Sequence, residues 1–285
     1  MLSVFLHSLS RYRGQILGWG LGLAVLGFYL IGFYDTIAAE QETYTRLIEN
    51  FPKEMMAFFG DFTEMATPQG YLGIEFFSYM PLILGIFAVM AGSGLLASDE
   101  EAGTLELVIA HPISRSALFL SRLLAFTIAT ASILTFIWLS FVIGKGSSSI
   151  DVTAGELALP LIELFAMLML FGGLALLLSM LLPSRGMAAM VSGLLLVASF
   201  FITSLQRIDP NLEPLARFSP LTYYLGGDAI LGLNGEWLAS LFGFALLFIL
   251  ASWYFFQRRD LRVSGEGAWQ LPGLGHLRRA NRSAS

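Results

Sequence analysis

The sequence has no cysteine, few histidines and little charge. Its 285 residues include three histidines and 13% charged residues, against 56% hydrophobic residues and a mean hydropathy of +0.72. Without cysteine, a disulfide framework and thiolate sites for metals or redox chemistry are excluded. A typical soluble domain is about 25% charged, and its apolar residues follow a period of 2 or 3.6, whereas here they form long runs. The sequence therefore predicts an integral membrane protein.

Enzyme motifs are absent too. A nucleotide-hydrolysing domain needs Gly-x-x-x-x-Gly-Lys-Ser/Thr, and the nearest stretch, Gly-Lys-Gly-Ser at 144–147, has neither that spacing nor a hydroxyl directly after the lysine. His7, His111 and His276 are far apart and none has an adjacent acid, which excludes a His-Glu-x-x-His metalloprotease. We therefore predict that this chain has no catalytic residue and binds neither a metal nor a cofactor.

Six segments have the roughly 20 mainly apolar residues that a membrane-spanning helix needs. We predict an all-α membrane protein whose six transmembrane helices cover residues 16–34, 76–96, 118–144, 157–182, 187–205 and 237–256. With the N-terminus inside, 11 basic residues lie on the cytoplasmic side and 5 outside, as the positive-inside rule requires. Both termini are then cytoplasmic. Residues 1–262 form a single transmembrane domain, and 263–285 form a mobile, Gly/Ser/Arg-rich cytoplasmic tail.

Three segments outside the spans have helical patterns. Apolar residues at 2, 5, 9 and 12 predict an N-terminal helix in the membrane interface, or else the frayed start of the first span. The long segment 35–71 has its own helical pattern and predicts a small ordered cap over the outer mouth. Before the last span, Ser219 is placed to cap a short helix that carries Pro220 in its first turn. With Tyr223 and Tyr224, these residues predict a re-entrant outer helix dipping into the outer leaflet.

The inner loop between the second and third predicted spans contains the densest set of helix signals. Ser98 and Glu101 fit a capping box, and Gly103 permits a sharp bend. Thr104 is placed to cap a second short helix, which Pro112 ends. Leu, Val and Ile at 105, 108 and 109 give that helix an apolar stripe, and Ser at 114 is placed to cap the following span. The loop is predicted to be a short, stiffly connected cytoplasmic helix.

The residues of this loop resemble the inner loop of type-2 ABC transporter permeases, the membrane subunits of ATP-binding-cassette exporters. The similar stretch is Glu-Glu-x-Gly-Thr-Leu-Glu-Leu at 100–107, followed by Pro-Ile-Ser-Arg at 112–115. The likeness extends along nearly the whole chain. It implies a coupling helix that docks on an ATPase through Glu100, Glu101, Gly103, Thr104, Leu105, Glu106, Leu107 and Arg115. The alternative is a well-capped amphipathic connector without that role.

This resemblance implies a permease that moves a substrate out of the cytoplasm, and the mostly apolar path through the spans favours a hydrophobic or amphipathic one. Its expected partners are two copies of an ABC ATPase, which would bind ATP and Mg, a second permease in a homo- or heterodimer, and membrane lipid, but no nucleic acid. The expected location is a prokaryotic cytoplasmic membrane. A non-transporting scaffold or immunity-type binding protein of the same fold is the alternative. An ion-driven transporter would need more intramembrane acids than one.

Two ionisable residues lie inside the predicted spans, where such residues are candidates for function. Glu163 is either one half of a structural pair or part of the lining of a substrate path. Arg122 lies near the inner end of its span, and its length favours an interface anchor whose charged end reaches water.

Overall fold

The computed structural model describes residues 2–40, 64–65, 67–101, 103 and 114–258. This part of the chain is all helical and contains no β-strand. Its α-helices are α1 (Leu2–Arg11), α2 (Arg13–Ala39), α3 (Pro68–Leu72), α4 (Met80–Gly94), α5 (Ala97–Glu101), α6 (Arg115–Lys145), α7 (Ala154–Leu181), α8 (Arg185–Gln206), α9 (Glu213–Ala216) and α10 (Gly235–Arg258). A π-helical turn, Gly73–Phe77, follows α3. Three 3-10 turns, Pro210–Leu212, Pro220–Tyr223 and Gly226–Leu231, lie between α8 and α10.

Five of the described helices, α2, α6, α7, α8 and α10, are long and apolar enough to cross a membrane. A sixth candidate consists of two parts, Pro68–Phe77 and Met80–Gly94, which meet at an angle of 42°. The prediction of an all-helical protein with about six spans is confirmed at this level. The five unbroken helices coincide with predicted segments to within a few residues at each end, because a run of apolar side chains marks the part of a helix that lipid surrounds.

The second span differs from its prediction, since it starts earlier and is broken. Pro81 lies in the first turn of α4 and has no backbone N–H to donate to the carbonyl of Phe77. The preceding π-helical turn is held by Ser78, whose hydroxyl donates to the carbonyl of Gly73 at 2.6 Å. The break therefore follows from a proline inside the apolar run.

The bundle is built around α7, most of which is buried, whereas only a small share of α2, α8 and α10 is buried. Helix α7 packs against α4, α6, α8 and α10. Glycines allow the closest of these contacts: a Cβ on Gly92 of α4 would lie 2.1 Å from the carbonyl oxygen of Gly172 on α7. Small residues let helices in a membrane approach this closely. By contrast, a Cβ on Gly193 of α8 would meet no atom within 4 Å.

Side-chain contacts identify which helix ends lie together. One end of the bundle, here called the loop end, contains the end of α4, all of α5, the start of α6, the start of α8 and the end of α10. The opposite end contains the C-terminal end of α2. There the carboxylate of Asp35 accepts hydrogen bonds from Ser148 and Ser149, which follow α6 in the chain.

Several predicted features fall outside the described residues. They are the helical pattern between residues 41 and 63, the coupling-helix residues Thr104 to Leu107, and the tail from 263 to 285. These remain predictions.

Candidate functional site

The loop end is organised around the short helix α5, which leads from the second span into the inner loop. The predicted capping box is wrong: α5 begins at Ala97, so Ser98 lies inside the helix rather than at its N-cap. The carboxylate of Glu101 instead accepts the backbone N–H of Arg185 at 2.9 Å, at the start of α8. Glu101 therefore connects the loop to the fifth span.

Asp99 connects α5 to two further helices. Its Oδ1 pairs with Nη1 of Arg11 at 2.9 Å, and its Oδ2 pairs with Nη2 of Arg122 on α6. Arg122 also donates to the carbonyl of Leu95 at 2.9 Å. Asp99 and Arg122 are both only 7% exposed. We call Arg11, Asp99 and Arg122 the loop-end triad.

The triad corrects the prediction for Arg122. A snorkelling anchor keeps its guanidinium in water, but the guanidinium of Arg122 is buried against Asp99. The reason is a partner 23 residues away on another helix. Burial alone would raise the pKa of the Asp99 carboxyl, yet the charges and hydrogen bonds of Arg122 and Arg11 outweigh burial and hold that pKa below its ordinary value. The pairing is therefore present at neutral pH and weakens only as pH falls through the lowered pKa.

Other predicted loop residues lie around the triad. Gly103 has φ of +67°, the left-handed conformation that the predicted bend requires. Ser114 caps α6 as predicted, since its hydroxyl accepts the backbone N–H of Ala117 at 3.2 Å. Glu100 is buried, whereas Glu101 is exposed. Arg115 donates to the carbonyls of Phe256 and Gln257, at 3.4 and 3.3 Å, and so binds the last described turn of α10.

At the opposite end, Glu163 binds backbone rather than another charge. Its Oε2 accepts the N–H groups of Leu225 at 2.8 Å and Gly226 at 3.1 Å, and the residue is 1% exposed. Gly226 has φ of +62°, which a side chain would disfavour. Glu163 therefore holds the Leu225–Gly226 turn through backbone hydrogen bonds, and its predicted place in the lining of a substrate path stays a prediction.

The same turn covers the break in the second span. Because Pro81 cannot donate to Phe77, the carbonyl of Phe77 is free to accept the hydroxyl of Tyr224, at 3.2 Å. Burial, with the charge of Glu163 second, raises the pKa of this hydroxyl well above its ordinary value, so it remains a donor at all ordinary pH values. A Cβ on Gly227 would lie 2.4 Å from the Cα of Gly73. The turn therefore packs directly on the break.

The predicted outer helix is two short 3-10 turns rather than one helix, Pro220–Tyr223 and Gly226–Leu231. Ser219 occupies the N-cap position as predicted, but it makes no cap hydrogen bond, because its hydroxyl donates to the carbonyl of Ser199 on α8 at 3.1 Å. Pro220 does lie in the first turn as predicted. The hydroxyl of Tyr223 donates to the carbonyl of Arg217 at 2.9 Å. Tyr224 is extended and separates the two turns.

A family model described as "ABC-2 family transporter protein" matches residues 15–261, which is more than half of the chain. The chain belongs to the ABC-2 transporter family. No curated protein matches it. The ABC-2 membrane domain is a non-catalytic transmembrane subunit, so the predictions of a permease, and of a chain that is not itself an enzyme, are confirmed.

In this ABC-2 permease, the residues that organise the loop end are mostly ones that sequence patterns did not indicate. Arg11, Asp99 and Arg185 were not predicted as site residues. Asp99 and Arg11 are 88 positions apart, and no local pattern joins them. A usable signal was present: three consecutive acids at 99–101 directly after a span, on the side where the arginines accumulate. The structure brings Glu100, Glu101 and Gly103 together beside the triad.

Proposed function

We propose that this ABC-2 permease exports a hydrophobic or amphipathic substrate, driven by a separate ABC ATPase that docks on its inner loop. The loop end then faces the cytoplasm, together with both termini and the tail 263–285. Residues 1–262 act as one transmembrane domain. The residues proposed to contact the ATPase are Glu100, Glu101, Gly103, Thr104, Leu105, Glu106 and Leu107.

One observation carries the proposal: the start of the loop is tied to three helices, α1, α6 and α8, by ionic and backbone contacts. Asp99 pairs with Arg11 and Arg122, and Glu101 binds the backbone of Arg185. A loop attached in this way transmits a displacement instead of absorbing it. An ATPase can shift the permease between two states only if it contacts the loop differently in each. Arg115, bound to α10, acts here as an anchor of the loop's far side.

The second span offers a physical connection to the opposite end. Helix α4 begins at the break that the Gly226–Leu231 turn covers and ends beside the triad. Its close contact with α7 at Gly92 makes sliding between the two helices sterically costly. We propose that movement of the loop is passed to α4 as a rigid body, and that the Glu163-bound turn acts as the outer closure of the substrate path.

Two further parts of the proposal concern the membrane. Helix α1 carries strongly exposed leucines at positions 2 and 6, which favours its placement in the interface. The exposed apolar faces of α2, α8 and α10 would meet lipid or a second permease. A non-transporting scaffold of the same fold would not need its loop to contact an ATPase. Detecting that contact therefore distinguishes an exporter from a scaffold.

Site-specific crosslinking tests the contact directly, because a chain without cysteine accepts a single engineered one. We expect Glu106→Cys, labelled with a photocrosslinker, to capture the ATPase co-expressed with the permease. The matched control is Glu236→Cys, an exposed acid at the start of α10 on the opposite end, and it is expected to capture none. Capture from both positions, or from the control alone, would contradict the proposed docking surface.

A further inference from the structure

A cavity of about 190 Å³ lies at the loop end, between α1, α4, α5, α6 and α8. Its lining contains three arginines, Arg11, Arg122 and Arg185, together with Met90 and Ala91 of α4. One water occupies about 30 Å³ in the liquid, so the cavity has room for a polyatomic group. No acidic side chain of the described residues lines it.

Two of these arginines, Arg122 and Arg185, have N–H donors without an acceptor among the described residues. Nε of Arg122 is buried and has no hydrogen-bond partner among the described residues. The guanidinium of Arg185 has no ion-pair partner in the same part of the chain, since Glu101 binds only its backbone N–H. Asp99 lies behind the cavity and pairs with the other two arginines. A buried donor without an acceptor is costly, whereas the guanidinium of Arg185, which lines the cavity, has donors left for an anion.

The charges of all three arginines act on the hydroxyl of Tyr12, a residue that also lines the cavity. Burial raises the pKa of the Tyr12 hydroxyl to about 12, and the charges of Arg11, Arg122 and Arg185 all oppose that rise. All three guanidiniums therefore lie close enough to act on one small region. Arginine forks match the oxygens of a phosphate group particularly well.

We propose that this cavity binds a phosphate group, presented either by an anionic phospholipid headgroup or by a soluble phosphate compound. The arginines contact the phosphate oxygens, and Met90 and Ala91 contact the apolar part of the ligand. The site is independent of ATPase docking. Because it is built from the same arginines that hold Asp99, its occupancy would stabilise the loop end in its present arrangement.

The test measures thermal unfolding of the full chain in nanodiscs, without any ATPase. Phosphatidylglycerol is titrated into phosphatidylcholine discs in one arm, and inorganic phosphate is titrated against pure phosphatidylcholine discs in the other. At least one anion is expected to raise the unfolding temperature. A response to phosphatidylglycerol alone assigns the headgroup as ligand, and a response to inorganic phosphate that also competes with the lipid assigns a soluble source.

Variants distinguish anion binding in the cavity from a general effect of surface charge. Arg185→Gln keeps the backbone contact with Glu101. It is expected to lower the affinity for the responding anion about tenfold, the effect of losing one charge-assisted hydrogen bond. Arg185→Lys keeps the charge and should recover part of that loss. Arg13→Gln, an exposed arginine on the same end, should change affinity by less than about threefold. The proposal is overturned if neither anion stabilises the wild type, or if Arg13→Gln matches Arg185→Gln.

Discussion

Asp99→Asn lowers the free energy of unfolding of the permease by about 3–5 kcal/mol, the usual cost of removing one partner from a buried ion pair. The reason is that Arg122 is left buried with its charge uncompensated. Arg11 loses its partner as well, but it is more than half exposed and water can solvate it. The measurement is equilibrium unfolding of the purified chain in detergent or nanodiscs.

Two comparisons make this result specific to the loop-end triad. The double variant Asp99→Asn with Arg122→Gln removes both buried charges and should recover much of the loss, which a double-mutant cycle quantifies. Glu213→Gln breaks the exposed pair with Arg217, whose side chains are 52% and 70% exposed. It should cost less than about 1 kcal/mol. If Asp99→Asn were as mild as Glu213→Gln, the triad would not hold the loop.

Glu163→Ala is expected to be the second most damaging change, costing on the order of 3 kcal/mol. It leaves the N–H groups of Leu225 and Gly226 buried without an acceptor, and each such group costs about 1–3 kcal/mol. Glu163→Gln keeps an acceptor oxygen in the same place and should cost less. Glu236→Ala, an exposed acid at the same end of the bundle, is the control and should be close to neutral.

A transport assay distinguishes a structural role of Glu163 from a role in the substrate path. If Glu163 only holds the turn, Glu163→Gln should export at the wild-type rate once its expression is matched. A Gln variant that folds normally but no longer exports would show that the charge itself is needed. The assignment of Glu163 as a structural anchor would then be wrong.

The parts of this fold that could be predicted are those decided by local chemistry. Apolar runs set the spans, because every backbone group in lipid must bond within its own helix. Ser114 capped its helix and Gly103 adopted a positive φ as predicted, since both depend on neighbouring residues only. Pro81 was an unused signal: a proline inside an apolar run indicates a break.

The parts that could not be predicted depend on partners distant in sequence. Glu163 reaches residues more than 60 positions away, and Asp99 pairs with arginines on two other helices. Ser219 had two possible partners, a backbone N–H of the following turn, from which a capping hydroxyl accepts, and the carbonyl of Ser199, to which the hydroxyl donates in the structure, and tertiary packing decided between them. Arg122 lies near the start of α6, but its burial follows from where Asp99 lies.

The central claim is that the inner loop couples this permease to an ATPase, and ATP turnover in the reconstituted complex tests it most directly. The permease is assembled in nanodiscs with its candidate ATPase, as wild type and as Glu101→Lys plus Leu105→Asp. The matched control, Glu236→Lys plus Leu231→Asp, makes the same exchanges at exposed positions on the opposite end. The account predicts that the loop variant alone loses complex formation and ATP turnover. A loop variant that assembles and hydrolyses ATP like wild type would contradict it.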